Sequence, residues 1–186
     1  MKMIFKIITI LVAVLSTAAV IAMFTRSKYT LVRKIVIHQP VNNVFDFIRH
    51  NNNQKKYSKW LSLDPDTKIA LRGAADGTPG SILAFASSNK KVGKGEWETT
   101  HIILNERIDF QLRFLEPFAF VANGYFTTEA LSSSQTTVTW VYNSGMDWPM
   151  NFMLLFLDME KLVGNDIQAS LESLKEHLES TPNVGN

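Results

Sequence analysis

The stretch WPMNFMLLFLDMEKLVGNDIQASLESLKEHL, residues 148–178, decides the reading of the chain. Within it Phe152, Phe156, Met159, Val163, Ile167, Leu171, Leu174 and Leu178 recur at steps of three and four. That spacing lines one face of a 3.6-residue helix, while Asp158, Lys161, Asn165, Gln168, Glu172, Lys175 and Glu179 fall mainly on the other. A single helix from Trp148 to Leu178 would be about 45 Å long at 1.5 Å per residue. It follows a run of strands and does not alternate with them. One long helix after many strands predicts an α+β architecture, an antiparallel sheet wrapped around that helix.

Working back from it, the strands announce themselves by period two. Arg107–Leu115 alternates most clearly, with Ile108, Phe110, Leu112 and Phe114 on one side and Asp109, Gln111 and Arg113 on the other. Thr67–Leu71, Ser81–Ser87, Gly95–Leu104, Phe120–Leu131 and Thr136–Ser144 complete the series, with turns through 73–80, 88–93 and 132–134. Upstream, Tyr29–Ile37 is rich in Val, Ile and Thr and reads as the first strand. Pro40 suits the first position of a short helix that buries Val41, Val44, Phe45 and Ile48. Tyr57 and Trp60, three apart, share one face of a second short helix. The order is one strand, two short helices, about six strands and a long helix.

The N-terminal segment is of another kind. Ile7–Thr25 is 19 residues without a charge, enough to cross a hydrocarbon core of about 30 Å. Arg26 and Lys28 close its far end, and Lys6 can snorkel back to its own side. A retained signal anchor and a cleaved signal peptide both fit. The apolar run continues six residues past the small residues Ser16-Thr17-Ala18, which favours the anchor. Basic residues flank both ends of the span, so the side that carries the domain stays open. The expected division is residues 1–28 as membrane anchor, with the span at about 4–24, residues 29–180 as the folded domain and residues 181–186 as a flexible tail.

Charge and composition exclude several function classes. Four of the 19 Lys and Arg residues lie in 1–28, leaving 15 against all 17 Asp and Glu in the remainder. The folded part therefore offers no broad cationic face for nucleic acid. With no cysteine there is no disulfide, thiolate metal site or cysteine nucleophile. His38, His50, His101 and His177 share no metal-ligand spacing with other donors, and no phosphate loop, nucleophile elbow or dinucleotide fingerprint is present. No metal, cofactor or catalytic set is expected.

Four short matches carry a family resemblance. They are Val36-Ile37-His38-Gln39-Pro40 running into Val44-Phe45-Asp46-Phe47-Ile48, the segment 88–95, Asn105-Glu106-Arg107-Ile108-Asp109, and Phe156-Leu157-Asp158-Met159-Glu160-Lys161. In this order, over about Tyr29 to Ser180, the chain resembles the superfamily of START lipid-transfer domains, Bet v 1-like pollen-allergen carriers and polyketide cyclase/dehydrase-like proteins (SRPBCC). It is most similar to bacterial single-pass members. The resemblance implies the helix-grip fold, a curved antiparallel sheet around the C-terminal helix, with a cavity between them. Two departures stand out: Tyr57 replaces a tryptophan common at that helix, and Asn42 and Asn43 replace acidic residues.

Such a cavity would be lined by Trp60, Phe85, Trp97, His101, Phe110, Phe114, Phe126, Trp140, Met159 and Val163, apolar with a few polar groups as ligand pockets are. The leading expectation is a membrane-anchored, non-catalytic binder of a hydrophobic small molecule or lipid. A cyclase- or hydrolase-type enzyme would need a polar group in the cavity. His101, which shares strand parity with Trp97 and Thr99, is the candidate acid or base. A protein-interaction module, as in chaperone-stimulating members, is the third reading. Gly164, in mid-helix at a cost of about 1 kcal/mol relative to alanine, calls for a packing or pocket reason.

Overall fold

Alternation builds the sheet. In β5 (Arg107–Glu116) Ile108, Phe110 and Leu112 are buried, while Arg107, Asp109, Gln111 and Arg113 stay partly exposed. The structure, a computed structural model, describes residues 1–180; the tail expected at 181–186 lies outside the described residues. The other strands are β1 (Lys28–Ile37), β2 (Lys68–Gly73), β3 (Ser81–Ala86), β4 (Lys94–Ile103), β6 (Phe120–Ser132) and β7 (Gln135–Gly145). They form one antiparallel sheet in the order β1-β7-β6-β5-β4-β3-β2, so the first strand returns beside the last. Between β1 and β2 run the helices α2 (Val41–Arg49) and α3 (Gln54–Tyr57) and two 3-10 turns. Trp60 sits just past α3, in the link to the second 3-10 turn.

Helix α1 (Lys2–Phe24) is the apolar N-terminal element, long enough to cross a membrane and almost wholly exposed. Its last turn is not free. Asn151, itself buried, donates from Nδ2 to the carbonyls of Ala22 (2.8 Å) and Thr25 (2.9 Å), and Trp148 donates from Nε1 to Ala19 (3.2 Å). They add donors for carbonyls of the last turn, where Ala22 otherwise has only the Thr25 N–H (3.3 Å).

The C-terminal element differs from the single helix of about thirty residues read from the sequence. It is a 3-10 segment (Met150–Leu155), a break, a π-helical turn (Glu160–Gly164) and then α4 (Asn165–Ser180). Asp158 starts the second helical part: its Oδ1 accepts the Lys161 N–H (3.2 Å) and its carbonyl accepts that of Leu162 (2.9 Å), an N-cap. Phe156, expected on the apolar face, is instead 75% exposed beside the break. Only α4 keeps the predicted stripe, with Ile167, Leu171, Leu174 and Leu178 buried against the sheet side.

Register assigns the loops to two ends. The α1–β1 link, the β3–β4 and β5–β6 turns and the β7–α4 segment lie at one end, the anchor end. The β2–β3, β4–β5 and β6–β7 turns and the end of α4 lie at the other. There Gln39 Nε2 donates to the Leu178 carbonyl (2.9 Å), and Thr136 Oγ1 donates to the Gln39 carbonyl (2.8 Å). A buried polar network pins the first 3-10 turn to the sheet. Asn51 Nδ2 donates to Ser81 Oγ (3.0 Å), its Oδ1 accepts from Thr99 Oγ1 (3.1 Å), and its backbone N–H is held by Asp76 (2.7 Å).

Candidate functional site

On the concave face the aromatic residues meet one another. Trp97 stacks on Phe110 with ring centroids 3.8 Å apart, Phe126 lies 4.5 Å from Trp140, and Phe110 and Phe126 are 5.8 Å apart. Phe85 and Phe114 extend the series edge to face at 5.7 Å. Glycines make room for it: a Cβ at Gly124 would strike the Val141 carbonyl and the Phe110 ring, and one at Gly95 the Phe85 ring. Of the residues expected to line a cavity, Phe85, Trp97, Phe110, Phe126 and Trp140 are buried in one continuous stack. Trp60, Phe114 and Val163 pack half-buried at its edges. The sheet-centre aromatics thus fill space against one another. One polar atom among them has no partner: the indole N–H of Trp140, on a side chain 2% exposed. A buried donor without an acceptor costs about 1–3 kcal/mol.

His101 is a correction. Strand parity was expected to turn it inward with Trp97 and Thr99, but the ladder slips between Thr99 and His101. Thr99 pairs with Phe110 and His101 with Asp109, so one extra residue, Thr100, bulges out of β4. The bulge resets the alternation: Thr99 is fully buried, His101 is exposed, and Ile102 takes the inward position. An acid–base role for His101 inside the grip is thereby lost.

Open space lies at the anchor end. A pocket of about 180 Å³ is bounded by Tyr29, Thr30 and Leu31 of β1 and by Leu154, Leu157 and Met159 opposite, with Arg26, Asp158 and Glu160 around it. Of the ten expected lining residues, Met159 alone borders it. The π turn and β1 build its polar side. In β1, Tyr29, Leu31, Arg33, Ile35 and Ile37 share the inward phase, and Arg33 lies directly across from Trp140 of β7. The Arg33 guanidinium forms an ion pair with Glu160 and donates from Nη1 to the Val32 carbonyl (2.9 Å). It occupies the space where a side chain at Gly164 would stand. This is why glycine sits there. The π turn, a geometry frequent at functional sites, brings Glu160 and Gly164 to the same guanidinium.

Titratable groups that line the pocket, and Tyr142 buried behind Tyr29, are tuned by their surroundings. Burial raises the Tyr29 phenol, against a lowering by its hydrogen bond with Ser144. Burial, and the neighbouring Tyr29, raise that of Tyr142 much further. Both phenols stay neutral hydrogen-bonding groups at physiological pH. The Lys161 backbone N–H holds the Asp158 carboxyl below the usual carboxylate range. Among the described residues no group of three or more His, Cys, Asp or Glu could hold a metal ion. A larger hollow of about 610 Å³ lies at the far end, bordered by Asn42, Asn43, Asp46, Arg49, Asn53 and Asn105 with a few apolar side chains. It is an open groove, with Phe45, Phe47, Leu104 and Leu178 supplying its apolar part, and it lies away from α1.

No protein-family model and no curated protein sequence matches the chain. Solved structures do. The chain is similar to norcoclaurine synthase from Thalictrum flavum, in complex with dopamine and hydroxybenzaldehyde, with a TM-score of 0.62 at 10% identity, over 88% of this chain and 94% of that one. It is similar to the ZhuI aromatase/cyclase from Streptomyces sp. R1128, with a TM-score of 0.62 at 11% identity, over 86% and 99%. The Aha1 dimer from Colwellia psychrerythraea gives a TM-score of 0.58 at 18% identity, over 83% and 99%. The fold is the Bet v 1-like helix grip. At such identities the likeness carries fold alone; in this chain the helix grip has a broken final helix, an Arg33–Glu160 pair, and α1 docked at one end.

Arg33, Glu160 and Tyr29 were not among the residues singled out from the sequence. A signal for Arg33 existed: it is the one charge on the inward phase of Tyr29, Leu31, Ile35 and Ile37. Glu160 carried no such mark, because its role depends on a π turn that periodicity does not reveal.

Proposed function

We propose that the chain is a membrane-tethered, non-catalytic binder of a small amphipathic or lipid-like molecule, taken up at the anchor end of the helix grip. The observation that carries this is the pocket between β1 and residues 154–160, apolar through Leu31, Leu154, Leu157 and Met159 and polar through Tyr29 and Glu160. Its volume refines the reading. Ligand pockets that engulf a drug-sized molecule hold about 300–1,000 Å³, so about 180 Å³ takes one end of an amphiphile and leaves the remainder outside. With α1 ending beside it, that remainder has the bilayer as its natural solvent. The Arg33–Glu160 pair and the phenols supply hydrogen bonds for a polar group, and the Trp140 indole N–H is a further donor on the same inward face. The norcoclaurine synthase complex with dopamine and hydroxybenzaldehyde is a precedent for small amphipathic ligands in this fold.

The test is binding by the full chain in nanodiscs, read by mass spectrometry of co-purified molecules and by displacement of a fluorescent fatty acid. Leu31→Trp, which fills the pocket, should abolish retention and displacement. Ser133→Trp in the far-end turn should leave both intact. Equal binding by the two variants would overturn the assignment.

A further inference from the structure

Several of the most exposed apolar side chains of this domain lie at the end of the sheet that α1 joins. Trp148 is 60% exposed and Phe156 75%, with Met150 and Leu155 between them. The β5–β6 turn carries Phe118, 79% exposed, at the same end of the sheet. Register sets its height: Asn123 pairs with Asn143 and Lys28 with Gly145, so Phe120 is level with the start of the segment after β7 and Phe118 reaches past it. The far end also exposes Leu104 and Leu131, but its other two turns are built from Ser132-Ser133-Ser134 and Ala75-Asp76-Gly77-Thr78.

The hydrogen bond from Trp148 fixes how deep this rim would lie. Its acceptor, Ala19, is five residues before the last residue of α1, about 7–8 Å down a helix rising 1.5 Å per residue. The whole helix, 23 residues, measures about 35 Å against a hydrocarbon core of about 30 Å. A span centred on the bilayer therefore sets Ala19 about 5 Å inside the hydrocarbon edge, with the Trp148 indole beside it just below the headgroups, near the interface at which tryptophan concentrates. Interfacial segments bury their apolar side about 5–10 Å there. Lys90 and Lys91, exposed in the β3–β4 turn at this end, would face the headgroups.

We propose that residues 148–156 and the β5–β6 turn around Phe118 form a second membrane contact, a lipid-facing rim that seats the pocket on the bilayer surface. The occupant is the bilayer itself, because the rim is continuous with α1 through Trp148 and Asn151. The proposal rests on the reading of α1 as a retained membrane span.

The chain has no cysteine, so single-cysteine probes are clean. The full chain carrying Val12→Cys, Phe118→Cys, Phe156→Cys or Ser133→Cys is labelled with an environment-sensitive fluorophore and reconstituted in phosphatidylcholine–phosphatidylglycerol vesicles. Lipids with nitroxides near the headgroup should quench the probes at 118 and 156 several-fold more than that at 133, and deep nitroxides should quench the probe at 12. Quenching at 12 but none at 118 and 156 overturns the rim and leaves the span. No quenching at 12 overturns both. A second measurement needs no label: brominated lipid should quench the native tryptophan emission, and Trp148→Phe should abolish that quenching. Persistence of the quenching in Trp148→Phe would also overturn the rim.

Discussion

The guanidinium of Arg33 lies where a side chain at Gly164 would stand, and that contact couples the first strand to the π turn. The far end of arginine is flexible, so Gly164→Ala displaces it without forcing the backbone apart. Alanine gains up to about 1 kcal/mol of helix propensity, and loss of a half-exposed ion pair costs about 0–1 kcal/mol. Stability should therefore stay within about 1 kcal/mol of the parent, while displacement of the fluorescent fatty acid weakens because Glu160 loses its partner. A large fall in melting temperature would mean that Gly164 serves packing beyond Arg33.

Gly124 is the opposite case. A Cβ there meets the Val141 carbonyl on one side and the stacked Phe110 ring on the other, and neither can retreat without breaking the β6–β7 ladder or the aromatic stack. Overpacking of this kind costs about 1–3 kcal/mol, occasionally more. Gly124→Ala should lower stability by at least that range in thermal or denaturant unfolding. Gly164→Ala in the same assay should not.

These two glycines mark what the sequence made legible. Alternation in Ile108, Phe110 and Leu112 revealed the strand and its inward face, because a side-chain period of two depends only on local geometry. The sheet, the inward aromatic residues and the apolar α1 were readable in the same way. His101 was misread because a bulge shifts parity by one residue and leaves no mark in composition. The final helix was misread because Phe152 and Phe156 continue its period through a break. The break lies between the docking of Trp148 and Asn151 on α1, contacts distant in sequence, and the Asp158 cap, a local one that restarts the helix. The pocket inherits the second problem, since the wall that faces β1 is made of the residues that flank the break.

Asn151 holds that docking. Its amide closes the last turn of α1 through the Ala22 and Thr25 carbonyls, 2.8 and 2.9 Å away, from a fully buried position. Asn151→Ala removes the partner of the half-buried Thr25 carbonyl and leaves Ala22 only the longer bond from the Thr25 N–H (3.3 Å), at about 1 kcal/mol for each bond lost. The expected outcome is local: trypsin should cut faster after Arg26, exposed in the link between α1 and β1, and after Lys28, exposed at the first position of β1, with the unfolding of the sheet little changed. Unaltered cleavage rates would show that the two parts are held together by something else.

The far end carries a pH-dependent clasp. Glu179 Oε1 accepts from the backbone N–H of His38 and lies against its Nδ1, both at 2.7 Å, with Lys175 Nζ 3.4 Å away. Burial pushes the Glu179 carboxyl up, but the two His38 hydrogen bonds and the Lys175 charge outweigh it and hold the carboxyl below its ordinary value of 4.5. The folded state therefore favours the ionised form. Such a group contributes stability above its unfolded value, and that contribution is lost as pH falls through the folded one. Glu179→Gln keeps an acceptor for the His38 N–H but has no charge to lose. At about pH 7 the variant should melt below the parent, and the gap should close as pH falls below 4.5 and through the carboxyl's own lowered value, beyond which both side chains are neutral. A gap that persists undiminished in acid would show that Glu179 acts through shape and not through charge.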